Sequence, residues 1–174
     1  MENKELDQLI LQIPHDDSAF DKLYDQTKTI VFAYIMSIVK NYDESSDILQ
    51  EVYIKIYLAA KNYTSMKKPL AWIYTIARNE SYIHLRRRQI NQEFDEAYSA
   101  PQNVDMDSQM ILQQLFQVLS DMERQIIIMH SLWGFKHHEI ANLLDIPIST
   151  SLSHYRRGMK KLKKAGGDMY EKTI

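Results

Sequence analysis

The chain has 174 residues, 45% of them hydrophobic, which is enough for a real core in one domain or two small ones. It has no cysteine, which excludes disulfides and any thiolate metal site. Only four glycines and four prolines, amid runs of Leu, Ile, Met, Gln, Glu and Lys, point to an all-α chain.

The net charge of −2 argues against a nucleic-acid binder until it is divided along the chain, because local fields decide where a polyanion sits. Residues 1–88 carry 12 basic and 12 acidic side chains, residues 89–107 five acidic and none basic, and residues 108–174 nine basic and six acidic. Six of those nine lie within Arg156–Lys164. The N-terminus is too acidic, and its apolar run too short, for a signal peptide. No stretch approaches the roughly 18 apolar residues of a membrane span. A soluble cytoplasmic protein with no membrane insertion is expected.

Residues 3–13 spell a short helix with Leu6, Leu9, Ile10 and Ile13 on one side, ended by Pro14. A second helix starts near Asp17 or Ser18 and runs to about Lys40, with Phe20, Leu23, Tyr24 and Ile30 among its core candidates. Asp43 can cap a third, Glu44 to about Asn62, with a buried stripe of Ile48, Val52, Ile56 and Ala59. On it Asp47, Gln50 and Glu51 share a face, with Ile54 and Leu58 farther along. Such a patch suits docking on another protein's helices, and a solvated face fits it as well. Tyr63–Lys68 is a loop.

Pro69 opens a fourth helix, where its missing N–H costs nothing. Leu70, Ile73, Ile76, Ala77 and Ile83 then recur at steps of three and four with only Glu80 interrupting, so they should face a core. Tyr74, Arg78, Tyr82 and Arg86 step by four along another face. Rings that stack on unpaired bases, alternating with guanidinium groups that hold phosphates, suit a single nucleic-acid strand. A solvated amphipathic helix with tyrosine tips fits the same pattern. From Gln89 to Asp107 the periodicity dissolves into an acidic stretch containing Pro101, which reads as an interdomain linker. The expected division is 1–90, a linker over 91–107, and 108–174.

Regular helix resumes near Ser108. Ser120-Asp-Met-Glu123 is a capping-box sequence. Leu119, Met122, Ile126, Met129 and Trp133 follow at helical spacing, and Gly134 ends that helix. Gly134–Leu144 reads as one short helix, Asp145–Ile148 as a turn, and Ser149 as the cap of a second helix running to about Lys164. Two short helices joined by a tight turn, the second rich in Arg and Lys, make a helix-turn-helix, with Ala141 small where they cross. A surface helical hairpin with a solubilising lysine face is the alternative. Ser149, Thr150, Ser153, His154, Arg156 and Arg157 are the major-groove candidates, and Lys160, Lys161, Lys163 and Lys164 add salt-sensitive attraction.

No catalytic set emerges. The histidines are His15, His84, His130, His137, His138 and His154. Adjacent His137 and His138 point about 100° apart on a helix and make a poor metal pair. There is no glycine-rich phosphate loop, GxSxG or evident carboxylate pair. Neither an enzyme nor a cofactor is expected.

Ser46-Asp-Ile-Leu-Gln-Glu-Val-Tyr53, Pro69-Leu-Ala-Trp-Ile-Tyr-Thr-Ile-Ala-Arg-Asn79 with Arg86-Arg-Arg88, and the helix-turn-helix together resemble the extracytoplasmic-function sigma factors of bacteria. These are the smallest members of the sigma-70 family, with region 2 and region 4 domains joined by a linker. Order, spacing and length agree from about residue 18 to 164. The resemblance implies a promoter-specificity subunit. Asp47, Gln50, Glu51 and Ile54 would dock on the β′ clamp helices of bacterial core RNA polymerase. Asn62, Tyr63, Lys67 and Lys68 would lie in the loop that captures an unstacked −10 base. Tyr74, Arg78, Asn79, Tyr82, Arg86 and Arg87 would melt and hold that element. His137, Ser149, Thr150, Ser153, His154, Arg156, Arg157 and Lys160 would meet the −35 element of promoter DNA. Trp72 and Ile76 would serve the core. A β flap contact and an anti-sigma factor partner are also implied.

Four positions depart from the family pattern. Lys136 stands where Ser or Thr usually opens the first helix of the motif. Asp145 replaces the turn glycine, and tolerates a left-handed backbone better than most residues. Ser151 replaces a valine. Gly158 replaces an alanine, at a helical cost of about 0.5–1 kcal/mol. Two other classes stay open: a stand-alone helix-turn-helix regulator that dimerises through its N-terminal domain, and an interaction protein with the fold but no promoter activity.

Overall fold

The computed structural model describes residues 3–65, 67–94 and 118–171, and the chain divides into two compact units, Met1–Tyr98 and Ser99–Ile174. Among the described residues there are seven helices and no strand. The remainder of the expected linker and the helix expected to resume near Ser108 lie outside the described residues.

The first unit is built on α1 (Asn3–Gln12), α2 (Asp17–Val39), α3 (Tyr42–Ala60) and α4 (Pro69–Phe94). Leu6, Leu9 and Ile10 of α1 are buried, as their spacing predicts, and so is Ile13 just beyond it. Asp16 caps α2 by accepting the Ser18 N–H at 2.9 Å. The last turns of α2 are buried on every side from Tyr34 to Val39, which makes α2 the central helix. Phe20, Tyr24 and Ile30, expected in the core, are only half-buried. The first two still set their rings edge-on to buried Tyr53.

Helix α3 is capped by Asn41, whose Oδ1 accepts the Glu44 N–H at 2.9 Å, and not by Asp43. Asp43 instead sits in the first turn, where a carboxylate complements the helix dipole. Its buried stripe is Ile48, Val52, Ile56 and Ala60, one residue on from the expected Ala59.

In α4, Pro69 is the first residue, and Leu70, Ile73 and Ala77 are buried. Ile76 is half-buried and Ile83 is 40% exposed. Their places in the core go to Tyr74, Glu80 and Ser81. Glu80 is no interruption: its carboxylate takes Lys55 of α3 at 2.6 Å. The helix also continues past Gln89, where the periodicity fades, to Phe94.

The second unit is built on α5 (Asp121–Ser131), α6 (His137–Leu144) and α7 (Ile148–Glu171). The capping box is formed: Ser120 Oγ accepts the Glu123 N–H at 3.3 Å and Glu123 accepts the Ser120 N–H at 2.9 Å. Gly134 takes φ 72°, which delays α6 to His137 where a start at Gly134 was expected. Lys136 precedes α6, and its ammonium side chain has no acceptor to offer the first-turn N–H groups. Only half of a box is made there, with Glu139 accepting the Lys136 N–H at 3.0 Å. Asp145 ends α6 in the left-handed region at φ 54°. The carbonyl of Pro147 accepts the N–H groups of Thr150 and Ser151 at 3.0 and 3.2 Å. Helix α7 therefore starts two residues early, at Ile148, and Ser149 lies inside it instead of capping it.

Candidate nucleic-acid interface

On α4 the exposed face is narrower than the sequence stripe. Tyr82 is 44% exposed, the Arg78 guanidinium lies over its ring at 5.3 Å, and Asn79, Arg86 and Arg87 are exposed. A cation parked on a ring keeps both a stacking surface and a phosphate ligand in place. Tyr74 does not belong to this face. It is 1% exposed, its ring lies 4.9 Å from that of Tyr34, and it accepts the Tyr34 hydroxyl at 3.3 Å. Burial pushes both hydroxyls above their ordinary pKa. Arg88 is turned to Glu44 of α3 at 3.3 Å, beside His84 at 3.0 Å.

The loop before α4 presents exposed Asn62, Lys67 and Lys68. Tyr63 is different. Its ring packs 4.8 Å from Trp72, and its hydroxyl donates to Asp7 of α1 at 2.6 Å. Burial and that carboxylate push the hydroxyl well above its ordinary pKa. Trp72, assigned to the core, is half-buried because it serves as the plate for this ring. Asp7 lies 56 residues away from Tyr63 in the chain, so no local pattern announces it.

Along α3, Asp47, Gln50 and Glu51 are exposed and lead into Ile54 and Leu58, each 59% exposed. The result is a polar patch grading into apolar surface, with half-exposed Tyr57 beside it. At the edge of this patch, one turn on from Glu51, the Lys55–Glu80 pair ties α3 to α4.

In the second unit, Ser149, Ser153, Arg156 and Lys160 are all exposed, and their spacing of four, three and four puts them on one side of α7. Thr150 is half-buried. Arg157 leans toward a different surface: its Nε is 3.9 Å from Glu123 of α5 and its guanidinium 3.0 Å from His154. Glu123 is buried and also takes Lys161 at 2.7 Å. Burial raises its carboxyl, but the Lys161 bond and the Ser120 N–H outweigh that and hold it below its ordinary pKa. Half-buried His154 is lowered by desolvation and Arg157.

His137, taken as a DNA contact, is a packing residue. Its Nδ1 is 2.9 Å from Ser151 Oγ, its ring stacks on His130 at 4.5 Å, and Tyr155 lies edge-on at 5.2 Å. Desolvation, His130 and Arg156 all lower its pKa. Ser151, where a valine was expected, is fully buried to receive it. Gly158 is explained as well: a Cβ there would meet Ile127 Cδ1 at 2.6 Å.

Residues 23–90 match the family model of sigma-70 region 2, and residues 109–162 that of sigma-70 region 4. The extracytoplasmic-function RNA polymerase sigma factor SigK of Mycobacterium tuberculosis is 26% identical over 175 residues, covering 92% of this chain and 93% of its own. SigK of Mycobacterium ulcerans is 26% identical over 173 residues, covering 91% and 92%. Among solved structures, the sigma factor RpoE in complex with the anti-sigma factor NepR from Bartonella quintana superposes with a TM-score of 0.63 at 23% identity, over 83% of this chain and 94% of that one. CnrH in complex with the cytosolic domain of CnrY gives 0.60 at 15% identity, over 96% and 97%. These two share the fold. Matching both family models in order, the chain belongs to the sigma-70 family of RNA polymerase sigma factors, and the curated relatives it is similar to are of the extracytoplasmic-function group.

Proposed function

We propose that residues 1–90 dock on bacterial core RNA polymerase and open the −10 element, that 91–107 is the connecting segment, and that 108–174 reads the −35 element of cytoplasmic promoter DNA. The docking face is Asp47, Gln50, Glu51 and Ile54, against the β′ clamp helices, with Leu58 extending it. The −10 strand runs over Asn62, Lys67 and Lys68 and along Arg78, Asn79, Tyr82, Arg86 and Arg87. Ser149, Thr150, Ser153, Arg156 and Lys160 face the −35 duplex, with His154 and Arg157 at its margin, and the same unit meets the β flap. The observation that carries this reading is the exposed Tyr82 ring under the Arg78 guanidinium, on a helix tied by Lys55–Glu80 to the helix with the docking face.

Melting then needs no chemical step by this chain. Bases that leave the stack are trapped on an aromatic face, with cations on the backbone, and the trapping free energy drives unpairing. The RpoE structure contains an anti-sigma factor, and we propose such a partner for this chain too. Run-off transcription with purified core polymerase on a promoter panel tests the reading. Specific transcripts are expected, and Asp47→Ala with Gln50→Ala should abolish core binding while helical content is kept. Binding to duplex without stimulating transcription would instead mark a stand-alone regulator.

A further inference from the structure

We infer that Asp7 of α1 is a positioning residue for the loop before α4, fixing which base that loop accepts. The inference rests on the −10 role proposed for Asn62, Lys67 and Lys68. Both oxygens of one carboxylate are engaged by the loop. Oδ1 accepts the Tyr63 hydroxyl at 2.6 Å and Oδ2 accepts the Ser65 hydroxyl. Ser65 Oγ in turn accepts the N–H of Lys67 at 3.4 Å. Lys67 has φ 57°, a conformation that residues with a Cβ adopt only where the surroundings hold them there. A relay from Asp7 through Ser65 thus reaches the strained residue whose ammonium would meet the strand.

Trp72 backs the Tyr63 ring at 4.8 Å. Asp7 itself is carried on a helix anchored by Leu6 and Ile10, both fully buried. Hydrogen bonds to an ionised group are the strong, directional kind, and two of them to one carboxylate fix residues two apart in the loop. A carboxylate beside a phosphate path is otherwise unfavourable, so its cost is offset by shaping the loop. Helix α1 lies outside the residues that match region 2, so this chain draws its loop geometry from a segment beyond the shared motif.

The test is transcription by the full chain with core polymerase from a library of promoters randomised through the −10 element, with transcripts sequenced. Asp7→Ala should weaken base selection about tenfold at the position the loop contacts, the weight of a lost charged hydrogen bond. Core binding should be unchanged. Tyr63→Phe added to Asp7→Ala should change nothing more, because its hydroxyl acts through the same contact. Asp7→Asn, which keeps the shape and one acceptor, should fall between wild type and alanine, and guards against a misfolded alanine variant. Loop variants Asn62→Ala and Lys67→Ala serve as reference. If they alter −10 selection and neither Asp7 variant does, the inference fails while the −10 reading stands. If the loop variants leave selection untouched, the −10 reading falls and the inference with it. A uniform loss of output on all sequences, tracking a lower melting temperature, would make Asp7 merely structural and would also overturn the inference.

Discussion

Replacing Gly158 by alanine decides how closely α5 and α7 approach. In an open helix this change stabilises by about 0.5–1 kcal/mol. Here the new Cβ would lie 2.6 Å from Ile127 Cδ1, 3.3 Å from Glu123 Cβ and 3.4 Å from Leu119 Cδ2. The Ile127 δ-methyl is the far end of a flexible side chain and can swing. Glu123 Cβ cannot: its residue is held by the capping box and by Lys161, so the two helices must part by some tenths of an ångström. Overpacking of this kind costs about 1–3 kcal/mol, which outweighs the propensity gain and leaves a net loss of about 1 kcal/mol. In a unit of this size that is a melting temperature lower by roughly 4–8 °C. Trp133 of the second unit is buried, so its fluorescence during thermal unfolding, in a Trp72→Phe background, isolates the relevant transition. Gly158→Ala should melt earlier and Gly158→Val earlier still. A higher melting temperature for Gly158→Ala would refute the close approach and leave Gly158 as a simple propensity defect.

Tyr74→Phe should cost about 1 kcal/mol by removing the hydroxyl contact with Tyr34 and leave single-strand binding unchanged. Tyr82→Ala should weaken that binding roughly tenfold by deleting a stacking ring, and the reverse order in a fluorescence titration would contradict the face drawn here. Lys55→Ala strands the Glu80 carboxylate, 6% exposed, and should cost about 1–2 kcal/mol in urea unfolding, moderated because Lys55 is half-exposed. The His137 pKa lies below its ordinary 6.5 in the folded chain, so below that pH the unfolded chain takes up the proton first. The stabilisation is therefore complete above pH 6.5 and is lost as pH falls through the folded pKa. The second unit should unfold more easily at pH 5 than at pH 7, and His137→Gln should flatten that dependence.

Features with a local signature were legible in the sequence: Pro69 opening α4, the Ser120–Glu123 box, and Asp145 accepting the left-handed turn. Two misreadings share an origin in partners distant along the chain. Glu80 looked like a flaw in an apolar stripe because its cation is 25 residues away, and Ser151 looked like a lapse until His137 met it. The Tyr74 error is geometric. Steps of four overshoot a helical turn by about 40°, so Tyr74 and Arg86 are about 120° apart around α4, and one end of the stripe must leave the face of the other. Asn41 and Asp43 are both good caps, and only the backbone chooses between them. Tyr63 and Asp7 could not be paired without the fold.

In the proposed function, the Tyr82–Arg86 surface of α4, with Arg78 over the Tyr82 ring, opens the −10 element after polymerase has docked. Permanganate footprinting of unpaired thymines, on a promoter the chain transcribes with core polymerase, reports this directly. Wild type should give reactive thymines confined to the −10 region. Tyr82→Ala with Arg86→Ala should lose that reactivity while still protecting the −35 duplex. Undiminished −10 reactivity in the double variant would contradict the account.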